Sequence, residues 1–223
     1  MSRHRTLLLL LTVLLVGISP ALATISYQVT INTSSISGNA GFLDFEFNPG
    51  GSSQNAFAMV SNFSPSGSLS NSPSIVGNVT GTLPPAITIT NSTAFNDFFV
   101  GFTYGSSLSF LLTLGGPAVD APNGTATSGS TFGFGMFASD GSTPELTSNP
   151  DGFGFLVDVN LNGSTTVSDF ITSQNSIQLV VPEPGSIALT LLGLGGILYR
   201  AARARTRTEK HRNSDRFDIL GAR

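Results

Sequence analysis

The chain has 223 residues, with 13 acidic and 10 basic side chains, two histidines, no cysteine and no tryptophan. Every Lys, Arg and His lies before Thr24 or after Val181, so residues 24–181 carry nine carboxylates, no cation and a formal charge of −9. Such a segment cannot neutralise nucleic-acid phosphates, form disulfides or run thiol chemistry, and a serine nucleophile in it would have no His or Lys as base.

The first residues have the three parts of a secretory signal. Arg3, His4 and Arg5 make a charged start, Leu7 to Val16 an apolar run, and Ala21-Leu22-Ala23 a small-residue cleavage site. Residues 1–23 are therefore read as a signal peptide cut at Ala21 and Ala23, with the mature chain beginning near Thr24.

Residues 24–181 are read as one all-β ectodomain, a single β-sandwich or jelly-roll-like fold. Short β-branched or Phe-rich runs alternate with Gly, Pro, Asn and Ser: ISYQVTI, GFLDFEF, AFAMV, SIVGNVTGTL, AITIT, NDFFVGFTY, SLSFLLTL, STFGFGMFA, GFGFLVDVNL, TTVSDF and IQLVV. Strand alternation puts Leu43, Phe45 and Phe47 on one face and Asp44 and Glu46 on the other, and it groups Asn96, Phe98, Val100, Phe102 and Tyr104. NPGGSSQN, SPSGSLSNSPS and GGPAVDAPNGTATSGS read as loops.

Without cationic partners the nine acids should sit in solvent or on a cation, because an unpaired buried charge is costly. Asp44 and Glu46 are the one closely spaced acid pair on a strand face, and a glycosidase needs two carboxyls about 5–9.5 Å apart. Alternation with an apolar face explains the pair more simply as a solvent-facing side, so no catalytic residue is assigned and the chain is read as a non-enzyme.

Asp158, Asn160, Asn162 and Asp169 follow the D-x-N-x-N-G spacing of a calcium loop, with Gly163 at its sharp turn. Against calcium stand Asp169 where such loops carry Glu, polar Thr165, and strands on both flanks. The competing reading, a β-hairpin tipped by Asn162-Gly163, is the one favoured, and no metal or other cofactor is assigned.

The last part of the chain carries a sorting address. Pro182, Glu183 and Pro184 precede a short apolar segment, and Arg200, Arg203, Arg205 and Arg207 follow it. A helix from Gly185 to Tyr199 would span only about 22 Å, short of the ~30 Å hydrocarbon core, which suits a brief anchor. The basic cluster marks the cytoplasmic side and acts as a stop-transfer signal, which places residues 24–181 across the membrane. Residues 182–207 are thus the sorting and anchor segment, and 208–223 a disordered cytoplasmic tail.

Pro182-Glu183-Pro184, the stretch Ile187 to Tyr199 and the arginines after it resemble the PEP-CTERM class of exported proteins of Gram-negative bacteria. The resemblance implies an integral-membrane exosortase as processing partner. It also implies an inner-membrane stage with a periplasmic domain, then release to the cell surface or an extracellular, exopolysaccharide-containing matrix. Members of that class usually stop soon after the arginines, whereas this chain continues to Arg223. The function expected is a non-catalytic surface or biofilm-matrix protein, with a lectin-like, calcium-assisted module as the alternative and a glycan hydrolase as a remote third.

Overall fold

The computed structural model describes residues 24–70, 72–180 and 195–196. The signal peptide with Ala21 and Ala23, the triplet Pro182, Glu183 and Pro184, and the cluster Arg200, Arg203, Arg205 and Arg207 lie outside the described residues. Two units divide the chain, residues 1–180 and 181–223. Of the second, Gly195 and Gly196 are described, both helical and exposed. Among the described residues no helix is long and apolar enough to cross a membrane.

The first unit is all-β. Its strands are β1 (Ile25–Asn32), β2 (Ala40–Pro49), β3 (Phe57–Pro65), β4 (Ser68–Leu69), β5 (Ser74–Val76), β6 (Val79–Thr82) and β7 (Ala86–Thr90). They continue with β8 (Asp97–Thr103), β9 (Ser107–Gly115), β10 (Ser130–Ala138), β11 (Phe153–Val159), β12 (Thr165–Asp169) and β13 (Asn175–Val180). A 3-10 turn at Ser34–Ile36 and one helical turn, α1 (Pro117–Asp120), complete it. α1 falls in a stretch that reads as loop, started by Pro117 at its first turn.

Two antiparallel sheets result. The first has the order β13-β1-β9-β3-β7-β6 and the second β12-β11-β10-β2-β8-β4, with β5 also on β8. The run SIVGNVTGTL, which reads as one strand, is split between them: β5 pairs with β8 in the second sheet and β6 with β7 in the first. The chain turns between them at Gly77, whose φ of 71° suits glycine. The short β4 arises in what reads as a loop, pairing with Phe102 and Thr103.

The period-2 pattern decides which face each strand buries. Leu43, Phe45 and Phe47 of β2, Phe132, Phe134 and Met136 of β10, and Leu108, Phe110, Leu112 and Leu114 of β9 are all fully buried. Phe110, from the first sheet, meets three rings of the second: Phe45 at 5.6 Å, Phe134 at 5.3 Å and Phe155 at 6.3 Å between centroids. The apolar faces of the two sheets therefore share one core. Tyr27 ties the layers at one end, its hydroxyl 2.7 Å from Oγ1 of Thr165.

Asn96, on the apolar side of its strand, is also fully buried and serves as a polar hub. Its Nδ2 donates to the carbonyls of Phe47 at 3.0 Å and Thr93 at 2.8 Å. Its Oδ1 accepts from the backbone N–H of Asn78 at 2.9 Å and from the hydroxyl of Thr93. An alanine here would leave several buried groups unpaired, at about 1–3 kcal/mol for a group so stranded. Asn96→Ala is therefore expected to cost about 2–3 kcal/mol, read as a lower urea midpoint at unchanged m. A cost under about 0.5 kcal/mol would show that water replaces the lost bonds.

Candidate functional site: three carboxyl groups on an aromatic sheet face

The outward face of β2 alternates Phe42, Asp44, Glu46 and Asn48, opposite the core-facing phenylalanines. Pairing with β8 sets Phe99 against Asp44 and Asp97 against Glu46, so three carboxyls occupy adjacent positions on two neighbouring strands. On the other side, β10 sets Gly135 against Asp44 and Gly133 against Glu46. The space a side chain would take at those glycines is filled by rings. A Cβ at Gly133 would lie 2.6 Å from Phe153, and one at Gly135 would lie 2.8 Å from Phe137. Phe42 stacks on Phe99 at 4.7 Å, and Phe99 meets Phe137 at 6.1 Å.

This corrects the sequence expectation of a solvent-facing acid pair. Asp44 is only 8 % exposed. The outward face of the second sheet is itself aromatic, and the connection between β10 and β11 folds back over it. Burial raises the Asp44 carboxyl to about 9, reinforced by its hydrogen bond to Asp97 and by the charges of Asp97 and Glu46. Asp97 is also raised by burial, while the bond it receives from Asp44 pulls the other way. Glu46 is raised to about 7 by burial and by the Asp97 charge, tempered by Nδ2 of Asn48 donating to its Oε2 at 2.8 Å. The third way for an acid to avoid an unpaired buried charge, keeping its proton, is thus the one Asp44 takes.

The calcium-spaced residues lie along a hairpin. Asp158 sits opposite Thr166 and Asp169 opposite Phe155, three positions apart along the strands, or about 10 Å. Three of the four side chains have an oxygen engaged locally, and the fourth donates. Oδ1 of Asp158 accepts from Thr131 at 2.6 Å, Oδ1 of Asn162 accepts from the hydroxyl of Ser164 at 2.7 Å, and Oδ1 of Asp169 accepts from the N–H of Ile171 at 3.0 Å. Nδ2 of Asn160 donates to Thr166 at 3.0 Å. The tip has three residues, Leu161 to Gly163, rather than the two expected. The N–H of Asn160 donates to Ser164 O at 2.8 Å, and Gly163, at φ 80°, takes the left-handed position such loops require. Among the described residues no group of three or more His, Cys, Asp or Glu is arranged to hold a metal ion.

Eight of the nine carboxyls of residues 24–181 lie on the second sheet or on the β10–β11 connection. Asp44, Glu46, Asp97, Asp158 and Asp169 are on strands of the second sheet, and Asp140, Glu145 and Asp151 lie on the β10–β11 connection. Asp120 lies on α1, and no strand of the first sheet carries an acid. The first sheet's outward face presents hydroxyl and amide side chains such as Gln28, Thr30, Ser107 and Ser109, interrupted by the half-buried Phe57, Met59 and Leu111. A groove of about 320 Å³ opens at its end, lined among others by Thr30, Asn32, Ser107, Gln174, Asn175 and Ser176. Its size falls at the lower end of ligand sites, and every lining side chain is uncharged.

Compared with protein-family models, with curated proteins and with solved structures, the chain matches none of them.

Proposed function

We propose that this is a non-catalytic, exported β-sandwich protein, delivered by a PEP-CTERM signal and resident in an exopolysaccharide-containing matrix or on the cell surface. The route rests on residues at the two ends: a signal peptide, exosortase processing at Pro182-Glu183-Pro184, and transient inner-membrane anchorage by the helix before the arginines. The observation that supports the matrix role is the segregation of eight of the nine acids to one sheet layer, with none on a strand of the other. It leaves the first sheet as an uncharged surface whose donors and acceptors, interspersed with apolar side chains, suit the hydroxyls and ring faces of a neutral polysaccharide, while the acidic layer keeps the protein soluble.

A lectin-like module with a defined site is the second reading, favoured by the groove beside Thr30 and Ser107. Under it the ligand is held by neutral hydrogen bonds, and calcium is not required. The hydrolase reading would need the acids beside a bound sugar, and the groove and the acid trio belong to different sheets.

Retention on polysaccharide from the producing organism tests the proposal. The protein is expected to be retained with or without calcium. Thr30→Glu, which places a charge on the neutral face, is expected to weaken retention at least tenfold, and Thr172→Glu, at an exposed residue whose N–H bonds Leu146 O of the acidic β10–β11 connection, to leave it unchanged. Equal retention of all three proteins would remove the first sheet as the contact surface, and no retention of the parent would remove the matrix role.

A further inference from the structure

We propose that Asp44 and Asp97 hold one proton between them at neutral pH, and that this proton keeps the aromatic face of the second sheet closed beneath the segment from Ser139 to Gly152. This device is independent of the polysaccharide reading. Oδ1 of Asp44 and Oδ1 of Asp97 are both buried and have no hydrogen-bond donor among the described residues. Residues 24–180 contain no Lys, Arg or His that could neutralise either. Two carboxylates this close in a water-poor place cannot both stay ionised. One proton turns their repulsion into a short O–H···O⁻ bond and satisfies both groups. Asp44, nine-tenths buried and flanked by Phe99 on β8 and Gly135 on β10, keeps the proton.

The surroundings determine how the domain responds when the proton leaves. From β2 itself Asp44 is faced by Glu46, and from β8 by Asp97. β10 contributes Gly133, Gly135 and Phe137, none of them titratable, and β5 contributes Ser74 and Val76. The crossing segment carries Asp140, Glu145 and Asp151, all acidic, so a newly ionised pair gains no attraction from above. That segment rests on the rings. A Cβ at Gly141 would touch Phe42 and Phe99 at 3.6 Å, and one at Gly152 would lie 2.7 Å from Phe137. It is pinned by the N–H of Ala138 donating to Thr143 O at 2.8 Å and that of Glu145 donating to Met136 O at 2.7 Å. Two adjacent charges beside these rings require water, and water enters by lifting the segment. Alkalinity thus exposes Phe42, Phe99 and Phe137, a device an exported domain can use to display an apolar surface conditionally.

The full chain in detergent micelles provides the test, with infrared spectroscopy and hydrogen exchange read by mass spectrometry. At pH 8, above the value of about 7 to which Glu46 is raised and below that of Asp44, the parent is expected to show the C=O band of a protonated carboxylic acid, and Asp44→Asn to lose most of it. Between pH 6 and pH 9.5, exchange in peptides covering 139–152, corrected for the intrinsic pH dependence, is expected to rise at least tenfold in the parent. In Asp44→Asn, which cannot ionise, it should stay flat. Asp97→Asn provides a second variant should Asp44→Asn fail to fold. Its amide donates to Asp44, so the band should vanish at a pH at least one unit lower. Absence of the band from the parent at pH 8, its undiminished survival in Asp44→Asn at that pH, an unmoved midpoint in Asp97→Asn, or equal exchange in parent and Asp44→Asn would each overturn the proposal.

Discussion

Replacing Phe110 by alanine is expected to lower the unfolding free energy by about 3–5 kcal/mol, the range for emptying a fully buried aromatic site. Phe110 is fully buried on β9, and its ring is the contact of the first sheet with Phe45, Phe134 and Phe155 of the second. Those three also touch one another, Phe45 to Phe134 at 5.1 Å and Phe134 to Phe155 at 5.5 Å, so they are held from both sides and cannot collapse into the vacancy. The domain has no disulfide to limit the loss. At a rough 2–4 °C per kcal/mol for a domain of this size, the melting temperature should fall by about 10 °C. Phe137→Ala removes a half-buried ring from the outward face and should cost roughly 1 kcal/mol. Equal losses for the two, measured by urea titration, would mean that the shared core is not where the stability resides.

Alternation made most of the strands legible in the sequence, because a two-residue period separates core from surface wherever one face is buried. Leu43, Phe45 and Phe47 and the group from Asn96 to Tyr104 are buried as their spacing demands. The same reasoning failed at Asp44, and the reason is physical. A strand pattern says which residues share a face but not what the neighbouring strands bring to it. Asp97 reaches Glu46 through the pairing of β2 with β8, some fifty residues away, in a register no local signal specifies. The sequence did hold one clue: Phe42, Phe99, Phe137 and Phe153 occur at positions that alternation or a bulge turns outward, too many rings for a purely solvated surface. The split of SIVGNVTGTL between two sheets was hidden for a similar reason. Gly77 reads as a weak interruption in a strand, yet it marks the crossing from one layer to the other.

The domain is expected to be more stable in mild acid than in mild base, the reverse of an acid-labile protein. Asp44 is raised from 3.8 to about 9 and Glu46 from 4.5 to about 7, so both bind a proton more tightly folded than unfolded. The stability this provides is complete below the unfolded values. It declines as pH rises past about 4, ends near 7 for Glu46 and continues to about 9 for Asp44. Asp140 runs oppositely: its carboxyl is lowered to about 2, chiefly by the Thr143 hydroxyl and backbone N–H, so its contribution is lost as pH falls below about 4. Together these place the optimum just below pH 4. At about 1.4 kcal/mol per pH unit, Asp44 alone should lower the unfolding free energy by on the order of 4 kcal/mol between pH 5 and pH 8, and the partly exposed Glu46 adds a smaller, solvent-screened share. Asp44→Asn, which keeps the shape of the protonated acid, should flatten the slope and leave the variant more stable than the parent at pH 8 by most of that amount. Calorimetric melting at several pH values checks both statements. A melting temperature that climbs from pH 5 to pH 8, or a parent and Asp44→Asn with parallel profiles, would mean that Asp44 is ionised in the folded domain.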